Sequence, residues 1–300
     1  MNKFAPLFVI LAAILWGIDG IVLRPSLYGL PVALVVFLET TSVSLLLTPF
    51  LFKKLKIVKT LQPKDFLAFF GVAAVGGVIG IMAITKALFY VNFVNLSIVV
   101  LIQKLQPVFA IVLAALLLRE KPSPIFILWA TLAIGGAYLM TFGLNIPNYQ
   151  TGDKTLEAAL FALLAAASFG CSTVFSKRAL TNVTFEFATY FRFIIASGIS
   201  FFVALSLGLL PQIPQVSTEQ WTVLLTIVVT IGGPAVFLYY FGLKRIKASV
   251  ATICELAFPL TAIILEYFVR DKLLSSMQWL GVVVLLISIL KVSHLQNKIE

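Results

Sequence analysis

Asp19, Glu39, Lys86, Lys104, Arg192 and Glu255 all stand inside long apolar runs of the chain. An ionised side chain at the centre of a bilayer costs at least about 2.5 kcal/mol, so residues of this kind face a bundle interior or a wet cavity. The set holds acids and bases in equal number and can be neutral as a whole. Two readings stay open. The residues can form structural ion pairs, for example Glu39 with Lys104 or Arg192 with Glu255. Alternatively, several line a site for a small molecule, in which a cation meets a carboxylate and an acid meets an amine, the complement of a zwitterion. By depth, Lys104, Arg192 and Glu255 are the strongest candidates. Asp19 and Lys86 lie nearer the ends of their runs and fit an external mouth, or for Lys86 a side chain that snorkels to the interface. Gln103 adds an amide, and Trp16 and Tyr239 offer aromatic walls. In a proton-coupled version, Glu255, Glu39 or Asp19 is the carboxylate that takes up and releases the proton.

These polar groups recur in a repeated setting. Ser97, Gln103 and Pro107 match Ser249, Glu255 and Pro259 at one constant offset, and each segment ends in a charged turn, Arg119-Glu120-Lys121 or Arg270-Asp271-Lys272. Glu120 and Asp271 read as helix-terminal loop residues. Pro107 and Pro259 each remove a backbone hydrogen bond and kink a helix, which membrane helices tolerate where neighbours or cavity water satisfy the freed carbonyl. A kink in both copies suits a gate, or a static bend. The repeat extends to Leu11–Gly17 with Leu164–Gly170, Glu39 with Arg192, and Gly76-Gly77 with Gly232-Gly233.

The elements that must carry these residues follow from composition. The 300 residues are 61% hydrophobic and 11% charged, with a mean hydropathy of +1.07. Soluble domains run near 45 to 50% apolar and 25% charged, so this is an all-α polytopic membrane protein. Ten transmembrane helices are expected: Phe4 to Leu23, Leu30 to Phe52, Phe66 to Val91, Leu96 to Leu118, Ile125 to Leu144, Leu156 to Phe175, Phe185 to Leu209, Trp221 to Leu243, Ala248 to Val269 and Ser275 to Val292. Phe4 to Leu23 is too long for a secretory core segment and is expected to stay as the first span. The polar connector Asn145 to Glu157 divides residues 1–147 from 148–300. An odd number of spans per copy inverts the second, giving two inverted five-helix repeats with a substrate site near the midplane between them. Most Lys and Arg, including Lys53, Lys54, Lys56, Lys59 and Lys64, fall in loops on the side of the N-terminus, which puts both termini in the cytoplasm.

The chain resembles the EamA-type members of the drug/metabolite transporter superfamily. The likeness rests on Trp16-Gly17, on Leu105-Gln-Pro107 ending in Arg119-Glu120-Lys121, and on Phe258-Pro259 leading to Arg270-Asp271-Lys272. It implies a basket in which spans 1 to 4 and 6 to 9 surround a cavity while spans 5 and 10 are peripheral. It also implies a carrier working by alternating access on amino acids, their analogues, or other metabolites and drugs. With the mixed charges above, the expected activity is export of an amino acid or related zwitterion from a prokaryotic cell across its inner membrane.

Other classes have little to stand on. His294 is the one histidine and follows the last span, and no His-Glu-x-x-His or Gly-x-Ser-x-Gly motif occurs, so an intramembrane enzyme is not expected. A passive channel would lack saturable counterflow. Cys171 and Cys254 read as small apolar side chains. No metal or cofactor is expected, and no nucleic-acid partner, because the net charge of +10 resides in loops that report topology. The partners are a small-molecule substrate, the lipid bilayer and, in the coupled version, protons. Gly76 and Gly80 permit close helix contact, within a monomer or in a weak homodimer.

Overall fold

A computed structural model describes residues 4–27, 29–90, 99, 102–146, 154–270 and 274–296. Among the described residues nine helices are long and apolar enough to cross a membrane: α1 (Ala5–Leu27), α2 (Val32–Thr60), α3 (Pro63–Ala87), α5 (Pro124–Phe142), α6 (Leu156–Ala179), α7 (Phe185–Ser206), α8 (Thr218–Leu243), α9 (Ala248–Leu265) and α10 (Ser276–Leu295). The shorter apolar helix α4 (Gln106–Leu117) accounts for the end of the expected fourth span. The expected connector boundary at 147/148, Ser97 and Asp271 lie outside the described residues.

Helix packing exchanges partners between the halves. α2 packs on α7, α5 on α10 and α4 on α9; α1 lies against α8 and α9, and α6 against α3 and α4. The Gly of each Leu11–Gly17 and Leu164–Gly170 motif explains the last two contacts. A Cβ on Gly17 would stand 2.8 Å from Thr261 Cβ, and one on Gly170 would stand 2.8 Å from the Gln106 carbonyl oxygen. The two glycines therefore seat the proline-bearing helices of the opposite half. Gly76 and Gly80 do the same within the chain, against Ser172 and Phe169, so their small size serves intramolecular contact.

The kinks are short breaks. Helix stops at Gln103 and restarts at Gln106, and stops at Cys254 and restarts at Ala257. Pro107 is the second residue of the restarted helix, where the missing N–H costs no intrahelical bond. Wider, π-type turns also recur, at Val72–Gly80 in α3 and Val228–Gly232 in α8, on the two Gly-Gly pairs matched in sequence.

Glu120 lies in the loop just after α4, as expected, and makes a contact the sequence did not reveal. Its carboxylate accepts from the Ala248 N–H at 2.7 Å, the Ser249 N–H at 3.1 Å and the Ser249 hydroxyl at 2.6 Å. It thus caps the start of α9 from the other half, satisfying donors that a helix N-terminus leaves orphaned.

If Gly170 is a seat for α4, Gly170→Ala overpacks the interface and should lower stability by about 1–3 kcal/mol. Gly135→Ala, where no atom lies within 4 Å of the added carbon, should leave the melting temperature in detergent nearly unchanged. Equal melting of the two variants would contradict this packing.

Candidate functional site

The break in α9 puts Glu255 at a helix end, where its side chain is held by three neighbours from three helices. Gln106 Nε2 donates to Oε2 at 2.9 Å from the restart of α4. Thr173 Oγ1 donates to Oε1 at 3.0 Å from α6, and the Tyr239 hydroxyl donates to Oε1 at 2.7 Å from α8. No Lys or Arg stands among these partners in the described residues. The carboxylate is solvated by amide and hydroxyl dipoles, which can be swapped for those of a ligand without breaking an ion pair. Trp16 on α1 closes one side, its ring 5.3 Å from that of Tyr239.

Beside this cage the next tyrosine makes a second polar contact. The Tyr240 hydroxyl lies 3.1 Å from Ser176 Oγ and accepts from Arg192 Nη1 at 3.5 Å, while the Arg192 guanidinium lies 5.7 Å from the Tyr240 ring centre. Thr173 and Ser176 stand three apart on α6, so one face of that helix serves both tyrosines. The expected Arg192–Glu255 pair does not form. The adjacent Tyr239 and Tyr240 take one charge each, because neighbouring positions on α8 point to different sides.

The expected Glu39–Lys104 pair does not form either. Glu39 Oε2 accepts from Arg24 Nη2 at 3.2 Å, and Asp19 Oδ2 accepts from Arg24 Nε at 2.8 Å. Arg24 was missed because it directly follows the expected end of the first span at Leu23. α1 instead continues to Leu27 through a π-type turn, Asp19–Leu23, in which the Arg24 N–H bonds the Asp19 carbonyl. Positions five apart point away from each other in a regular α-helix, and the wider turn returns Arg24 to the face of Asp19.

Lys104 is buried at the break before α4, and among the described residues no carboxylate pairs with it. Gln103 is half-buried, and the amide that reaches Glu255 is Gln106, one turn later. The break between Gln103 and Gln106 separates the two amides, and the one after it faces Glu255. Lys86 is exposed, with its ammonium 5.2 Å from the Phe161 ring centre and 5.9 Å from that of Tyr90. It borders an open recess of about 390 Å³ lined by Pro31, Val32, Met82 and Leu207, apart from the Glu255 cage. Gln106, Thr173 and Ser176 went unnoticed for want of charge; the Thr173/Ser176 spacing on an otherwise apolar helix was the available signal.

Comparison with known proteins gives one consistent picture. Residues 3–142 and 156–293 each match the model of the EamA-like transporter family. A protein of Fusobacterium nucleatum described as the riboflavin transporter ImpX is 43% identical over 291 residues, 96% of this chain and 97% of that one. The uncharacterized transporter YwfM of Bacillus subtilis is 27% identical over 97% of this chain and 94% of its own length. A crystal structure at 16% identity superposes with a TM-score of 0.78 over 100% of both chains, a likeness of fold.

The cage around Glu255 makes a measurable prediction. Tyr239→Phe removes one donor to a half-buried carboxylate and should cost about 1–3 kcal/mol at neutral pH. In a double-mutant cycle with Glu255→Gln, read by melting in detergent, the two losses should add to less than their sum. Simple additivity would mean that the contact does not operate.

Proposed function

The chain belongs to the EamA-like transporter family, and on that premise we propose that it carries riboflavin or a closely related flavin across a bacterial plasma membrane by alternating access. The single observation that carries this reading is the 43% identity, over nearly the full length of both chains, to a protein described as a riboflavin transporter. The Glu255 cage supports it chemically. An isoalloxazine ring has flat faces and an imide edge in which one N–H stands between two carbonyls. Glu255 supplies an acceptor for that N–H, while Gln106, Thr173 and Tyr239 supply donors for the carbonyls. Trp16 and Tyr239 give the ring faces a surface.

This reading replaces the amino-acid-like zwitterion. The 43% identical relative is described as a riboflavin transporter, and of the charges expected to hold a zwitterion Glu39 is paired with Arg24 and Arg192 lies against Tyr240 rather than Glu255. The architecture proposed for the transport cycle is two inverted repeats, residues 1–147 and 148–300, with both termini cytoplasmic. Two family matches, one per half, and the exchanged packing of α1 and α6 support it. The breaks before Pro107 and Pro259 are the proposed hinges.

In proteoliposomes, labelled riboflavin should show saturable counterflow that excess unlabelled flavin suppresses and amino acids do not. Glu255→Gln, which puts an amide opposite the imide N–H, should slow the exchange at least tenfold if a hydrogen bond to a charged acceptor is lost, worth about 1.5–3 kcal/mol. Exchange driven by an amino acid and blind to flavins would remove the proposal.

A further inference from the structure

An ionic cluster ties α1 to α2. It contains two carboxylates and one guanidinium, Asp19, Glu39 and Arg24, and so carries one net negative charge when all are ionised. Arg24 directs both donors used in the cluster at Asp19 Oδ2, and one of them also reaches Glu39 Oε2. Asp19 is only 4% exposed, and its other oxygen, Oδ1, is buried without a hydrogen-bond partner among the described residues. An orphaned, buried carboxylate oxygen is costly, and an uncompensated charge inside a bundle more so.

We propose that Asp19 Oδ1 is the atom at which this protein binds and releases a proton during its cycle. A proton taken from water forms an O–H bond at Oδ1, and the cluster passes from one net negative charge to neutral. The new hydroxyl removes the orphaned acceptor. The guanidinium is then left with Glu39 on α2 as its one ionised partner. Protonation therefore loosens the tie between Asp19 and Arg24 while strengthening the tie between α1 and α2, which is the kind of two-state element that proton uptake can bias. Arg24, half-exposed at the edge of the cluster, gives water a way in.

The charged groups facing Asp19 are Arg24 from its own helix and Glu39 from α2. α9 brings the Phe258 ring beside Gly20, and α8 brings Gly232 beside Glu39 Oε1; neither titrates. The described residues hold no group of three or more His, Cys, Asp or Glu that would favour a metal ion over a proton. The coupling role rests on the carrier reading, but the proton site itself is tested without any substrate, so failure of the flavin assignment leaves it standing.

Infrared difference spectra of the purified, substrate-free protein, recorded on acidification from neutral pH, read the carbonyl stretch of protonated carboxyl groups. The wild-type protein should gain a band that Asp19→Asn lacks. Glu39→Gln leaves Arg24 wholly to Asp19 and makes the cluster neutral, so it should fold and move that band to lower pH. A band that survives in Asp19→Asn overturns the assignment. So does a titration that Glu39→Gln leaves unshifted, which keeps the test open should Asp19→Asn fail to fold. Replacing choline by sodium at fixed pH should change nothing; suppression of the band by sodium would make this a sodium site and equally overturn the proposal.

Discussion

A charge inside hydrocarbon must bring its own solvation, and this requirement organises the bundle. The chain answers it in three ways. Arg24 neutralises one of two carboxylates and touches both. Glu255 has no counter-ion among the described residues and is held by an amide and two hydroxyls. Arg192 spreads its charge over a tyrosine ring. The first joins neighbouring helices, whereas the Glu255 and Arg192 contacts draw residues from helices distant in sequence, so the polar groups fix which helices must meet, and the apolar side chains fill what remains. Where a contact needs backbone to approach backbone, as at Gly17 and Gly170, side chains are absent altogether.

The difference between the two carboxylate sites matters for mechanism. The Asp19 cluster is ionic, and changing its charge changes which partners Arg24 can hold. The Glu255 cage consists of groups that donate and accept in turn, so a ligand can enter it by exchanging hydrogen bonds rather than by separating charges. Its members come from α4, α6, α8 and α9, with Trp16 of α1 alongside. That puts it where both proposed halves contribute, next to both helix breaks. A site of that kind changes shape whenever the halves shift, without covalent chemistry or a bound cofactor.

The spans were legible in the sequence, because a run of some twenty apolar residues has few other uses. Points of close approach were legible too: Gly17, Gly170 and the Gly76-Gly77 and Gly232-Gly233 pairs sit at tight helix contacts or in π-type turns. Pairing was not legible. Depth along a helix can be counted, but facing direction depends on local winding, and the π-type turn in α1 moved Arg24 onto Asp19 while the break in α4 moved Gln106, not Gln103, onto Glu255. Charge drew attention to Lys104 and Arg192 as partners for acids, although the partners chosen by the fold were mostly neutral. Thr173 and Ser176 show why: hydroxyls on a helix rich in alanine look like spacing elements until a carboxylate is found opposite the one and a tyrosine hydroxyl opposite the other.

Flavin emission offers the most direct test of the central claim, that the Glu255 cage and its aromatic wall bind a flavin. Riboflavin titrated with the purified protein should lose fluorescence saturably as its ring packs against Trp16 and Tyr239, and Trp16→Leu should weaken both the quenching and the affinity. Emission unchanged by the wild-type protein, or quenching that Trp16→Leu and Glu255→Gln both leave intact, would contradict the account.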